Sequence, residues 1–200
     1  MSDTTTTPAE HQVTGFAQRP KRADARRNYE KLLAAAGDAF GDLGTAASLE
    51  DIARRAGVGI GTLYRHFPTR QALLEAVYID EVEEMSAKAD DLGDLGPWDA
   101  LSTWLHQFVR FAATKRALAD EMLNTMDAEA PVFVACRTAI TEAGDMLLQR
   151  AQASGEARPD TTFTDVGRMV SGIASIRTAD PGQIERILDM ALDGLRYTGE

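Results

Sequence analysis

Two short helical stretches joined at one glycine, within residues 48–67, constrain this chain more than any other feature of it. Ser48 offers a side-chain oxygen to the free amides of a helix starting at Leu49, and Asp51 stands three residues on, where a capping box carries its acid. Leu49, Ile52, Ala53 and Ala56 recur at three- and four-residue steps and so share one face. Gly57-Val58 turns the chain, with glycine supplying backbone freedom that other residues lack. A second helix is predicted over residues 59–67, with Val58, Leu63 and Phe67 wedged against the first. Pro68 ends it, because the residue before a proline avoids the helical region. Ala53 and Ala56 are small enough for the two helices to cross closely. Two helices at a steep angle, joined by a three- or four-residue turn, form a helix-turn-helix.

Helical periodicity runs through nearly all of the remainder, with no strand alternation and no internal repeat. Tyr29, Leu32, Leu33, Ala36 and Phe40 line a first helix, stopped at Gly41 and Gly44. Thr69 caps a long helix carrying Leu73, Leu74, Val77, Val82 and Met85. Pro97 opens another, lined by Leu101, Trp104, Leu105, Phe108 and Ala112, and a shorter one is predicted near residues 116–126. Pro131 starts the next, with Val132, Cys136, Ala139, Ile140, Ala143 and Leu147 inside. The final pair is marked by Val166, Met169, Val170 and Ile173, then by the Asp180-Pro181-Gly182-Gln183 start. The expectation is an all-α chain of about nine helices. It comprises a threonine-rich flexible tail (1–18), a three-helix helix-turn-helix domain (19–68) and a larger helical body (69–200) for dimerisation and ligand binding.

Charge is divided along the chain. The formal net charge is −10, which by itself argues against a polyanionic partner. Yet residues 19–70 carry ten Lys/Arg against six Asp/Glu, and residues 71–200 carry eleven against twenty-three. A basic head on an acidic body lets the head alone meet a polyanion. No apolar run approaches the roughly 20 residues of a membrane span, and the N-terminus lacks the basic start and apolar middle of a secretory signal. A cytoplasmic location and no membrane partner are expected. Cys136 is the single cysteine, so an internal disulfide and a thiol-rich metal site are excluded. His106 reads as a helix histidine rather than a ligand, and no metal or cofactor is expected.

The second helix of the motif suits duplex DNA. Gly59, Ile60, Gly61 and Thr62 present small or adaptable groups at its N-terminus, where a recognition helix meets base edges. Ile60 can touch a thymine methyl, and Thr62 can bond a base or a phosphate. From Leu49-Glu50-Asp51-Ile52-Ala53-Arg54-Arg55-Ala56-Gly57-Val58 through Gly59-Ile60-Gly61-Thr62-Leu63-Tyr64-Arg65-His66-Phe67, the chain resembles the tetracycline-repressor (TetR) family. The continuation Thr69-Arg70-Gln71-Ala72-Leu73-Leu74 and the preceding basic helix from Arg26 fit the same pattern. The resemblance covers about residues 19–77 and implies an all-helical homodimeric transcriptional repressor, not an enzyme. It implies that Tyr64, His66 and Arg70 meet the DNA backbone, with Thr62 and its neighbours in the major groove. Arg65 lies among them, Ser48 at the edge of the contact set, and Arg22, Arg26 and Arg27 either steer phosphate or form a solvated face. Arg70 stands where the family usually has lysine, and Glu50 lies where some relatives read a base.

In the body, Trp104, Phe108, Phe111, Met122, Met126, Phe133, Met146 and Met169 are either core or the lining of an apolar pocket for a small-molecule effector. Val166, Val170, Ile173, Ile184, Ile187, Leu188, Ala191 and Leu195 are either an intrachain hairpin or the face that meets a second copy. A dimer matches a palindromic operator, with recognition helices about 34–36 Å apart. Two alternatives stay open: control by a protein partner through the acidic body, and a small helical enzyme, for which Cys136 has no histidine nearby in sequence.

Overall fold

The computed structural model describes residues 19–177 and 180–197. The predicted tail, residues 1–18, lies outside them. Among the described residues the chain forms eight α-helices and two 3₁₀ turns, with no strand beyond an isolated bridge between Ala157 and Arg196.

Helix α1 (Ala23–Leu43) buries Tyr29, Leu32, Leu33, Ala36 and Phe40 along the predicted stripe. It continues through Gly41 and ends at Gly44, whose φ of 54° excludes most other residues. A 3₁₀ turn (Gly44–Ala46) leads to α2 (Leu49–Arg55). Ser48 Oγ accepts the Asp51 amide at 3.1 Å, which satisfies one of the orphan donors of the first turn. At the other end Gly57 has φ 68°, its N–H donates to the Arg54 carbonyl at 3.1 Å, and the Val58 N–H donates to the Ala53 carbonyl at 3.0 Å. These two bonds form a Schellman closure and set the direction in which α3 (Ile60–His66) departs.

Thr69 Oγ1 accepts the Ala72 amide at 3.0 Å and starts α4 (Arg70–Ala87). A 3₁₀ turn (Asp90–Leu92) precedes α5 (Pro97–Leu123), one unbroken helix of 27 residues. The separate helix expected near residues 116–126 is therefore the end of α5. Its apolar period fades because Ala113, Thr114 and Ala117 are exposed, yet no glycine or proline interrupts it. Thr114 instead returns its hydroxyl to the Arg110 carbonyl at 3.0 Å. Helices α6 (Pro131–Ala153), α7 (Phe163–Ala174) and α8 (Pro181–Leu195) complete the chain. Thr162 and Asp165 close a capping box on α7, and Asp180 Oδ1 accepts the Gln183 amide at 2.9 Å to open α8.

The chain divides into two compact units. One gathers the described residues up to Val82 with Arg110–Arg137, around fully buried Leu32, Ile52, Leu63, Leu73 and Met122. The other gathers Glu83–Val109 with the described residues from Thr138 on, around Met85, Leu101, Trp104, Leu105, Leu147 and Leu188. In this second unit Trp104 stacks on Phe108 at 5.3 Å and meets the Phe163 ring edge-on at 5.7 Å. Gly144 makes room for Phe163: a β-carbon there would stand 2.1 Å from two of its ring atoms. No described helix is long and apolar enough to cross a membrane.

The candidate residues of the body take the following places. Val166, Val170, Ile173, Ile184, Leu188 and Leu195 are buried within the chain itself, and Ile187 and Ala191 are half-buried. The strongest apolar stripe of each helix serves the intrachain core, because that is where an amphipathic helix gains most. Met146, by contrast, is at the surface, 36% exposed, while its neighbour Leu147 points inward. It lies in a groove along α6 with Glu142, Asp145, Gln149, Arg150 and Ala153. The other aromatic and thioether candidates separate. Trp104, Phe108 and half-buried Met169 belong to one unit, and Met122, Phe133 and half-buried Phe111 and Met126 to the other.

Candidate nucleic-acid interface

The face that α3 presents follows from how the helix is anchored. Leu63 is fully buried and Phe67 nearly so, one turn apart on the inward side. Ile60, Gly61, Tyr64 and Arg65 therefore point outward at the spacing of adjacent helical turns. Ile60 is 37% and Tyr64 46% exposed, large apolar surface for a solvated helix. A β-carbon at Gly59 or Gly61 would meet nothing within 4 Å, so neither glycine is required by packing inside the chain. Small residues on an open face let a helix backbone come close to a partner.

The polar groups on this face are arranged locally. Arg65 Nε donates to the Gly61 carbonyl at 3.1 Å and Nη2 donates to Thr62 Oγ1 at 3.0 Å. The guanidinium thus lies over the N-terminal turn of α3, beside Thr62, and remains exposed. His66 is half-buried and packs edge-on against Tyr29 at 6.0 Å. Burial, and behind it the charge of Arg65, pushes the imidazole below its ordinary range. Arg22 stands exposed at the N-cap of α1 without a side-chain cap bond, and Arg26 is exposed with Glu30 3.7 Å away. Exposed Arg27 lies beside them in sequence. Such surface pairs hold a charge weakly.

Two of the expected contact residues also have partners within the chain. Ser48 Oγ caps α2 by accepting the Asp51 amide, a bond that uses an oxygen lone pair and not the O–H. Arg70 is only part-exposed. Its Nε donates to Glu121 Oε1 at 2.9 Å, its Nη1 donates to the Ala47 carbonyl, and the guanidinium lies over the Phe40 ring at 5.0 Å. Arg55 bonds Asp51 at 2.8 Å and Asp42 at 3.1 Å, and Arg54 bonds the same Asp51. The Arg54 hydrogen bond foremost holds the Asp51 carboxyl below the usual carboxylate range. Sequence reasoning assigned Glu121 no part in the head. Its partner is 51 positions away, and no local pattern marks it.

The geometry defines a helix-turn-helix head carried by a helical chain. Residues 32–77 match the model of "Bacterial regulatory proteins, tetR family", and residues 96–197 match "Transcriptional regulator SbtR-like, C-terminal domain". The TetR transcriptional regulator SCO0520 from Streptomyces coelicolor is 42% identical with a TM-score of 0.74, over 85% of this chain and 99% of that one. The TetR transcription regulatory protein from Mycobacterium vanbaalenii is 35% identical with a TM-score of 0.71, over 88% of this chain and 99% of that one. The HTH-type transcriptional regulator SAR0097 of Staphylococcus aureus (strain MRSA252) is 36% identical over 77 residues, 38% of this chain and 40% of that protein. The chain belongs to the TetR family of transcriptional regulators, with a DNA-binding helix-turn-helix, and the enzyme alternative falls.

Proposed function

We propose that the chain is a one-component repressor that binds a two-fold symmetric operator as a homodimer and is released by a small molecule. The outward face of α3 carries this reading: Ile60, Gly61, Tyr64 and Arg65 form an exposed surface on which, among the described residues, Arg65 bonds only Gly61 and Thr62 of the same helix. Gly59 and Thr62 flank it, and His66 offers its ring N–H to phosphate. Arg22 and Arg26 add phosphate contacts from the start of α1. One seven-residue helix reads too few bases for a genome, so a second copy is needed. Met190, 74% exposed on α8, and Ile176, 39% exposed just after α7, supply apolar surface for that second copy.

The effector half rests on buried polarity. Ser86 is fully buried with an unpartnered hydroxyl, and Gln107 Oε1 is also buried and unpartnered, both in the unit that holds Trp104 and Phe108. Leaving such groups unmade costs about 1–3 kcal/mol each, which a ligand bearing a hydrogen-bonding group recovers.

Gel shift against duplexes selected from a random pool tests the operator reading. Binding weakens steeply with salt, and Ile60→Glu abolishes it while far-ultraviolet circular dichroism stays unchanged. Failure to select any duplex, or binding indifferent to both salt and Ile60→Glu, sinks the reading. Thermal-shift screening of neutral small molecules tests the effector half, a true effector raising the melting temperature of the wild type but not of Ser86→Ala.

A further inference from the structure

We infer that Arg70 is a positioning residue: it ties the end of α5 to the start of α2, so that Glu121 sets the posture of the recognition helix. The guanidinium gathers three elements at once. Glu121 comes from the last turn of α5, Phe40 from α1, and the Ala47 carbonyl from the segment entering α2. Ala47 is itself buried and directly precedes Ser48, the cap of α2. Holding that carbonyl holds the first turn of α2. The Schellman closure at Gly57 then carries the constraint into α3, because α2 and α3 share one stiff turn. The Arg70–Glu121 pair is shielded, with side chains 30% and 17% exposed, so its charges interact more strongly than a surface pair.

A second pair reinforces the bolt. Lys115 Nζ meets Glu81 Oε1 at 2.5 Å, both side chains 23% exposed, about two turns before Glu121 on α5. Gly37 of α1 leaves just enough room for that carboxylate, since a β-carbon there would stand 3.2 Å from Glu81 Oε1. The stretch of α5 from Lys115 to Glu121 is thus joined to α4 by charge at two points. A signal that shifts α5 reaches α3 through Arg70.

This assignment rests on the operator reading for one of its two readouts, and the opposite role for Arg70 predicts the opposite sign. Were Arg70 a phosphate ligand, Glu121 would compete with DNA, and Glu121→Gln would tighten binding. As a positioning pair, Glu121→Gln weakens binding to the selected duplex by about three- to tenfold. The slope of log affinity against log salt does not change, because no phosphate contact is lost. Arg70→Lys keeps a cation fit for phosphate but loses the planar fork, and it weakens binding to the same degree. Equal or tighter binding by Glu121→Gln, or wild-type binding by Arg70→Lys, overturns the inference. Amide hydrogen exchange on the free protein gives the readout that needs no DNA. Glu121→Gln speeds exchange in residues 47–66 by about tenfold and leaves α8 unchanged. No change in residues 47–66, or an equal rise in α8, overturns it as well. Absence of any selected duplex combined with the localised exchange change discards the operator reading and keeps the tie.

Discussion

The pair α2–α3 and the pair α7–α8 look alike as sequence, each with a capped start and an apolar stripe, yet they expose opposite kinds of information. In α2–α3 the turn is self-contained. Ser48, Gly57 and the two closing bonds lie within the motif, so the buried side and the presented side follow from it. In α7–α8 the stripe of Val166, Val170, Ile173, Ile184 and Leu188 states only that something covers it. The cover is the chain's own core. A motif with internal geometry predicts a surface; an apolar stripe predicts burial and is silent about the partner.

That contrast is most exposed to test at Leu188. Because it is fully buried within the chain, Leu188→Ala is expected to cost about 2–5 kcal/mol of folding stability. Urea unfolding at two protein concentrations checks it: the loss is the same at both. A loss confined to dilute samples would return Leu188 to a subunit interface. Gly144→Ala tests the same core from the α6 side. The added methyl meets the Phe163 ring, and overpacking is expected to cost about 1–3 kcal/mol, less the gain in helix propensity. Phe163→Leu in the same chain recovers part of that loss, because the two sites share one space.

The exposed side of α8 gives the complementary result. Met190→Glu is expected to change folding stability by less than about 0.5 kcal/mol, since the side chain covers nothing within the chain. The same change weakens self-association about tenfold, roughly 1.4 kcal/mol, by sedimentation. A dimer untouched by Met190→Glu would move the second copy to another face.

Much of the fold was legible because its punctuation is local. Ser48, Gly57, Thr69 and Asp180 act within three or four residues, and all four do what their positions announce. The length of α5 was misread because periodicity weakens when a helix passes from a covered stretch to an open one, though the backbone continues. Arg70 is ambiguous in the sequence for a different reason. A cation beside a recognition helix suits phosphate on local grounds, and only the distant Glu121 and Ala47 reveal that its donors are already in use. Local signals report conformation; the assignment of a charged side chain needs the neighbours that folding brings.

The smallest expected effect concerns His66, and it refines what the presented face does. Burial, then the nearby Arg65 charge, lowers the imidazole pKa below the ordinary 6.5. Between those two values the unfolded chain binds a proton that the folded chain refuses, so folding loses stability as pH falls below about 6.5. The carboxylates held low, Asp51, Asp160 and Asp165, start from an ordinary value of 3.8 and lose their contribution only in more acid solution. The window from pH 6.5 to 5.5 is therefore sensitive to His66 and clear of them. Melting temperatures at pH 7.5 and 5.5 are expected to drop less in His66→Gln than in the wild type, and an equal drop in both would remove His66 as the cause. Near neutral pH the ring is then uncharged. In the proposed operator complex its part is an N–H aimed at a phosphate oxygen, so His66→Gln is expected to leave the salt dependence of binding unaltered while Arg22→Ala reduces it.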